Sequence, residues 1–328
     1  MDKMRLENYY KNPLTEMLGM KYPVIMAPMF LVSNAEMVIS SLKAGIAGCI
    51  PALNYRTDNE FRKAILSIRE QVEGPIGVNL IVNKSNIKFK QQLETCVELG
   101  VDFIITSLGS PEKTINACKP KGIKVFCDVV DVKYAKKVEA LGADAVIAVN
   151  KEAGGHAGPL MAKDLIPQLV EACSIPVISA GGVSNGSQFK EKLDLGACGI
   201  SMGSPFIATD EAGVSEAYKQ AIVDYGADDI VLTDKLSGSP CTVINTPYVQ
   251  ETGLKRNFVE TLLSKNKKLK KFVKMLTFYK GMKALEKAAF NTTYNTVWCA
   301  GPSIEGVNEI RSVEKVVSDL IGEFEGLE

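Results

Sequence analysis

Leu141-Gly142-Ala143-Asp144-Ala145-Val146-Ile147-Ala148-Val149 runs through Asn150-Lys151 into Glu152-Ala153-Gly154-Gly155-His156-Ala157-Gly158-Pro159. Its first four residues read as a helix end, with glycine standing where a C-terminal cap needs a left-handed residue. Ala145 to Val149 is a short apolar run of the kind that forms a fully buried strand. The loop that follows sets the only histidine of the 328 residues among three glycines and a proline. Such a loop lets backbone approach a ligand closely while it presents one imidazole. The histidine therefore falls just past the carboxyl end of a buried strand, which is where α/β proteins bind ligands.

Outward from this stretch the same pattern recurs. Leu99-Gly100-Val101-Asp102, Leu195-Gly196-Ala197-Cys198 and the shorter Ala44-Gly45 repeat the helix stop. Apolar strands are expected at Pro23 to Met29, Ile46 to Ile50, Ile76 to Val82, Phe103 to Ser107, Lys124 to Val129, Ala145 to Val149, Pro176 to Ala180 and Gly199 to Met202. Strands apolar on both faces, alternating with amphipathic helices, imply a parallel sheet covered by helices. Eight such units predict an α/β fold of the (β/α)8 TIM-barrel type, in which loops after the strand carboxyl ends build the active site. The competing architecture is an open doubly wound sheet, but no G-x-G-x-x-G follows the first strand.

After Pro205 the rhythm changes. Residues 210–226 read as one more barrel helix, Asp229 to Thr233 as a short apolar piece, and Ser237-Gly238-Ser239-Pro240 as a turn. Beyond Glu251 a mostly helical segment is expected, with Leu269, Phe272, Val273 and Leu276 on one face of the basic run 265–274. Those lysines lack interleaved arginines and aromatics, so the run reads as a solvated face and not a nucleic-acid patch. The expected organisation is a barrel over 1–215, a small helical cap over 216–304, and a terminal helix over 305–328 that packs back on the barrel.

Composition narrows the function classes. Lys plus Arg and Asp plus Glu each total 38, which leaves no global field to steer nucleic acid or an anionic membrane. The eight cysteines are scattered without a C-x-x-C, a pattern of buried thiols in a reducing cytoplasm and not of disulfides or a metal site. No apolar run reaches membrane-spanning length, and the first ten residues are charged. The expectation is a cytoplasmic protein, and a homodimer is compatible with it.

Two further glycine-bearing strand ends carry chemistry. Ile178-Ser179-Ala180-Gly181-Gly182-Val183 ends the seventh strand and Ser201-Met202-Gly203-Ser204-Pro205 the eighth. In barrels these loops often cradle a phosphate with backbone N–H groups. Asn79, near the top of the third strand, can offer an amide donor and acceptor to a heterocycle edge.

Together with Ala27-Pro28-Met29, Gly77-Val78-Asn79 and the Ala153 to Gly158 loop, these segments resemble the nitronate monooxygenase family, formerly 2-nitropropane dioxygenases, over about residues 15–215. The resemblance implies an FMN-binding barrel that oxidises alkyl nitronates, such as propionate 3-nitronate, with molecular oxygen to carbonyl compounds and nitrite. It implies that Gly182 and Ser201, Met202, Gly203 and Ser204 hold the FMN phosphate, with Gly181 beside them in the cofactor site. It further implies that Ala27, Pro28, Met29 and Asn79 meet the isoalloxazine, that Asn150 and Gly154 line the same ligand, and that His156 is catalytic. Cys299 and Gly301 match a late pocket segment of some members.

An imidazole can take the α-proton of a neutral nitroalkane, or stabilise a nitronate that arrives already charged. Three other readings stay open on the residues alone. One is an FMN enzyme of the same scaffold that uses NAD(P)H, an enoyl-(acyl carrier protein) or quinone reductase. Another is a cofactor-free lyase or isomerase of phosphorylated sugars, and the third a non-catalytic flavin or metabolite binder.

Overall fold

The computed structural model describes residues 7, 9–84, 86–234, 240–254, 286, 289, 290 and 297–327. Eight parallel strands close into a barrel: β1 Val24–Met26, β2 Ala47–Pro51, β3 Ile76–Ile81, β4 Phe103–Ser107, β5 Lys124–Val129, β6 Ala145–Val149, β8 Val177–Ala180 and β9 Gly199–Met202. The circle shuts where Val24, Ile25 and Met26 pair with Ile200, Ser201 and Met202. These are the strands expected from the apolar runs, with β1 ending at Met26 where the run extends to Met29. The helix stops at Gly45, Gly100, Gly142 and Gly196 all take positive φ, the conformation that ends each helix and returns the chain to the next strand.

The strand alternation sorts side chains into two layers. Ile25, Cys49, Phe103, Ile105, Phe126, Ile147 and Ile178 fill the inside of the barrel. Phe103 and Phe126 stack there with ring centroids 5.3 Å apart. Gly77 makes this possible, because a Cβ on it would fall 2.2 Å from the Phe103 ring. Leu14 and Met20 plug the amino-terminal end of the barrel, leaving its carboxyl end for ligand. Val24, Met26, Ile50 and Val78 belong to the outer layer, packed against the helices.

The last helix, Val313–Leu327, buries Val313, Val316, Val317, Leu320, Ile321 and Phe324 against the barrel exterior. Each such side chain contributes roughly 1.5–3 kcal/mol relative to exposure. Phe324 meets the Phe189 ring at 5.0 Å, and Gly186 leaves room for its backbone, since a Cβ there would stand 2.2 Å from the Phe324 nitrogen. The helix starts later than the expected residue 305 because Pro302–Gly306 winds into a short 3-10 turn and Arg311 then bridges Thr209 in extended form.

Outside the barrel, β10 Ile230–Thr233 and β11 Cys241–Ile244 pair antiparallel, and β11 also pairs with β7 Gly155–His156. The turn at 237–239 and the basic run 265–274, with its helical face, lie outside the described residues.

Candidate active site

A cavity of about 1000 Å³ opens at the carboxyl ends of the barrel strands. Ala27, Pro28, Met29, Asn79, Gly154, His156, Gly181, Gly182, Ser201, Met202, Gly203, Ser204 and Cys299 all line it. The tertiary structure thus brings together most of the residues singled out in the sequence. Asn150 and Gly301 are not among the described lining residues. The Asn150 side chain is fully buried, donating to the Gly181 carbonyl at 3.1 Å and accepting from the Glu152 N–H at 2.8 Å. It ties the histidine loop to the end of β8. Gly301 is a crossing point: its N–H donates to Ser204 Oγ at 2.8 Å, and a Cβ on it would stand 2.7 Å from the Gly154 nitrogen. Only two glycines let these segments pass so close.

His156 owes its position to a strand far away in sequence. Cys241 and Thr242 of β11 pair with His156 and Gly155, and Thr242 Oγ1 donates to the Ala153 carbonyl at 2.9 Å. The imidazole is exposed, on the cavity wall.

The ends of β8 and β9 form a cradle. The main-chain N–H groups of Gly182, Gly203 and Ser204 have no acceptor among the described residues. Unpaired N–H groups at strand ends are what an anionic oxygen requires. Gly203 has a φ of −121° and room for a Cβ, whose nearest neighbours would be Met29 Sδ at 3.4 Å and Ala27 Cβ at 3.5 Å. Gly182 differs, having positive φ and the Glu152 carboxylate 2.6 Å from where its Cβ would be. Just past β1 the N–H groups of Ala27 and Met29 are already spent on the Met202 carbonyl and on Ser33 Oγ, and Pro28 has none. This edge offers a ligand a carbonyl and van der Waals contact, not donors.

The cavity floor is polar. Asn79 donates from Nδ2 to the Ile105 carbonyl at 3.1 Å and to Ser107 Oγ at 2.8 Å, which fixes its amide orientation because a carbonyl can only accept. Ser107 in turn donates to the Asp128 carboxylate. Burial pushes Asp128 up to about 6, against the opposing pull of the Ser107 hydrogen bond.

Asp128 and Ser107 were not singled out in the sequence. Their signal was the two-residue alternation: Phe103, Ile105 and Ser107 on β4, and Phe126 and Asp128 on β5, all point inward. Lys133, Tyr134 and Lys137, on the helix Val132–Ala140, also reach the cavity. Neither lysine has an acidic or hydrogen-bonding partner among the described residues. Leu108, beside them, holds a left-handed φ of 63°, a conformation that costs a branched residue energy and tends to collect at functional loops. On the opposite segment Cys241 Sγ lies 3.9 Å from Cys299 Sγ, and Tyr218 donates to the Cys299 carbonyl at 2.6 Å while stacking on Trp298. The Cys241–Cys299 thiol hydrogen bond and burial push the Cys241 thiol well up. No metal-holding cluster of His, Cys, Asp or Glu occurs among the described residues, and no described helix is long and apolar enough to cross a membrane.

Fold and site define a (β/α)8 barrel of the flavoenzyme oxidoreductase type. The chain belongs to the nitronate monooxygenase family, whose model matches residues 11–323. It is 32% identical over 244 residues to a (3aS,4S,5R,7aS)-5-hydroxy-7a-methyl-1-oxo-octahydro-1H-indene-4-carboxyl-CoA dehydrogenase of Mycobacterium tuberculosis, covering 74% of this chain and 68% of that one. It is 30% identical to a probable nitronate monooxygenase of Staphylococcus saprophyticus, covering 73% and 79%. Among solved structures it is similar to FabK from Thermotoga maritima, with a TM-score of 0.84, 27% identity and 97% of each chain covered.

Proposed function

We propose that the protein is an FMN-dependent oxidoreductase that takes electrons from a reduced nicotinamide and passes them to a carbonyl-conjugated acceptor, an enoyl thioester or a quinone. The observation that carries this reading is the cavity: about 1000 Å³, at the upper end of small-molecule sites. It runs from the glycine cradle to a rim with two lysines that have no side-chain partner among the described residues. That is ample for a flavin and a sizeable second molecule with an anionic tail. The 97% coverage shared with FabK and the carboxyl-CoA substrate in the mycobacterial relative's name support it.

The cradle fits FMN. The N–H groups of Gly182, Gly203 and Ser204 would hold the phosphate, and Asn79 with the segment Ala27 to Met29 would bound the ring. Bound FMN supplies the reversible two-electron chemistry that side chains lack. His156 moves the proton that accompanies it, giving one to the carbon beside the carbonyl during reduction. Lys133 and Lys137 attract the phosphate of a thioester carrier or dinucleotide. Tyr218, Pro240, Cys241, Val297 and Cys299, described residues of the expected cap, close one side of the cavity wall.

A second reading, nitronate oxidation by molecular oxygen, is supported by the family model and the staphylococcal relative's name. There His156 would remove the α-proton of a nitroalkane. One anaerobic cuvette separates the two. Bleaching of the flavin by NADH or NADPH, with colour restored by a crotonyl thioester or a quinone, is the expected result. Bleaching by a nitronate alone, with no response to nicotinamide, would overturn it in favour of the second reading. A protein that purifies without FMN and does not bind it would reject both.

A further inference from the structure

The hydrogen bonds of the cavity floor run in one direction. Both Asn79 N–H groups are committed to Ile105 and Ser107, and the Ser107 hydroxyl is committed to Asp128. What remains toward the cavity is Asn79 Oδ1 and the unused lone pairs of the Asp128 carboxylate. With Asp128 ionised, the floor is built only of acceptors. With Asp128 protonated, it gains one donor. Asp128 sits at the inward position of β5 beside Ile147 of β6, and its accessible face opens to the cavity.

Among the described residues no countercharge contacts the carboxylate. Ser107 approaches from β4, the Cys49 thiol from β2, Cys127 from its own strand and the Tyr134 phenol from the helix Val132–Ala140. His156, Asp131, Lys133 and Lys137 line the same cavity, but no ion pair joins either lysine to Asp128. Any ring that covers the floor removes the water on which this carboxylate depends.

We propose that Asp128 is a second proton-exchanging group of the cavity, which takes up a proton from solvent when a flavin covers the floor and thereafter donates to or accepts from it. The inference rests on the reading of this cavity as a flavin site. No electrons move in this step. A proton leaves buffer, the Asp128 carboxylate becomes a carboxylic acid, and the Ser107 hydroxyl turns from donor to acceptor or stays on the remaining carboxyl oxygen.

The test is calorimetric titration of flavin-stripped protein with FMN at pH 7 in two buffers of different ionisation enthalpy, which counts protons taken up. The ionisation of the FMN phosphate contributes equally to every variant and cancels in the difference. Wild type should take up close to one proton more than Asp128→Asn, since a carboxyl titrating at about 6 is mostly ionised at pH 7 before binding. Ser107→Ala keeps the carboxyl but removes the hydrogen bond that favours its charge, so the ligand-free protein should already be partly protonated and the uptake smaller. Equal proton counts in wild type and Asp128→Asn, with FMN bound by both, would overturn the proposal. If Asp128→Asn does not fold, an unchanged count in Ser107→Ala would do so. If wild type binds no FMN, the flavin reading fails and this proposal with it; FMN bound with equal proton counts defeats this proposal alone.

Discussion

Gly203 is the position at which cofactor binding and folding can be separated. Its φ of −121° suits any residue, and an added Cβ would find Met29 Sδ at 3.4 Å and Ala27 Cβ at 3.5 Å, ordinary contact distances. Gly203→Ala should therefore fold normally. The new methyl nevertheless stands at the edge of the cradle whose unpaired N–H groups include those of Gly203 and Ser204. Hydrogen bonds to a charged partner are worth about 1.5–3 kcal/mol each. Losing one of them weakens FMN binding about 10- to 100-fold. The assay is fluorescence titration of flavin-stripped protein with FMN and, separately, with riboflavin, which carries no phosphate. The expected result is a larger loss of FMN binding than of riboflavin binding, with the Tm unchanged. Full-strength FMN binding would show that the turn has no contact with phosphate, and equal loss of both flavins would show that the methyl disturbs the ring site instead. Gly182→Ala makes a poor substitute, because positive φ and the Glu152 carboxylate at 2.6 Å would destabilise the fold itself.

The remaining expectations concern the proton-handling groups and their supports. His156→Asn should lose about 10²- to 10⁴-fold in turnover of a substrate that must exchange a proton, with FMN occupancy retained; undiminished turnover would remove the histidine from the chemistry. Asp128 is held above its ordinary value of 3.8, at about 6, so the folded state binds its proton more tightly than the unfolded state does. Its stability contribution is present below about pH 4 and is lost as pH rises through 6, a difference of roughly 2–3 kcal/mol. Asp128→Asn should accordingly raise the Tm of flavin-free protein at pH 7 and flatten its dependence between pH 4 and 6, and a lower Tm at pH 7 would contradict this. Thr242→Val cuts the hydrogen bond to the Ala153 carbonyl and should cost about 1 kcal/mol. It should also lower turnover without changing FMN affinity, and an unaltered rate would mean that β11 does not hold the histidine loop in place.

The barrel could be read from the chain because each of its units is locally coded. The apolar runs from Val24 to Met202 and the glycines at 45, 100, 142 and 196 mark strand and helix ends within a few residues of themselves. The parallel order then follows from connection length. The glycine-rich loops and His156 were legible for the same reason, being consecutive residues at strand ends. Asn79 was legible, but its linkage to Ser107 and Asp128 was not, because the three lie on three strands and become partners only when register places them side by side. Nor could sequence foresee that His156 depends on Thr242, that Gly154 and Gly301 cross, or that Asn150 is turned into the protein to tie loops together. Local patterns settle where strands and turns occur. Which side chains share a cavity, and which N–H groups remain unpaired, depends on closure of the barrel, since only that closure decides which distant groups exclude water from one another.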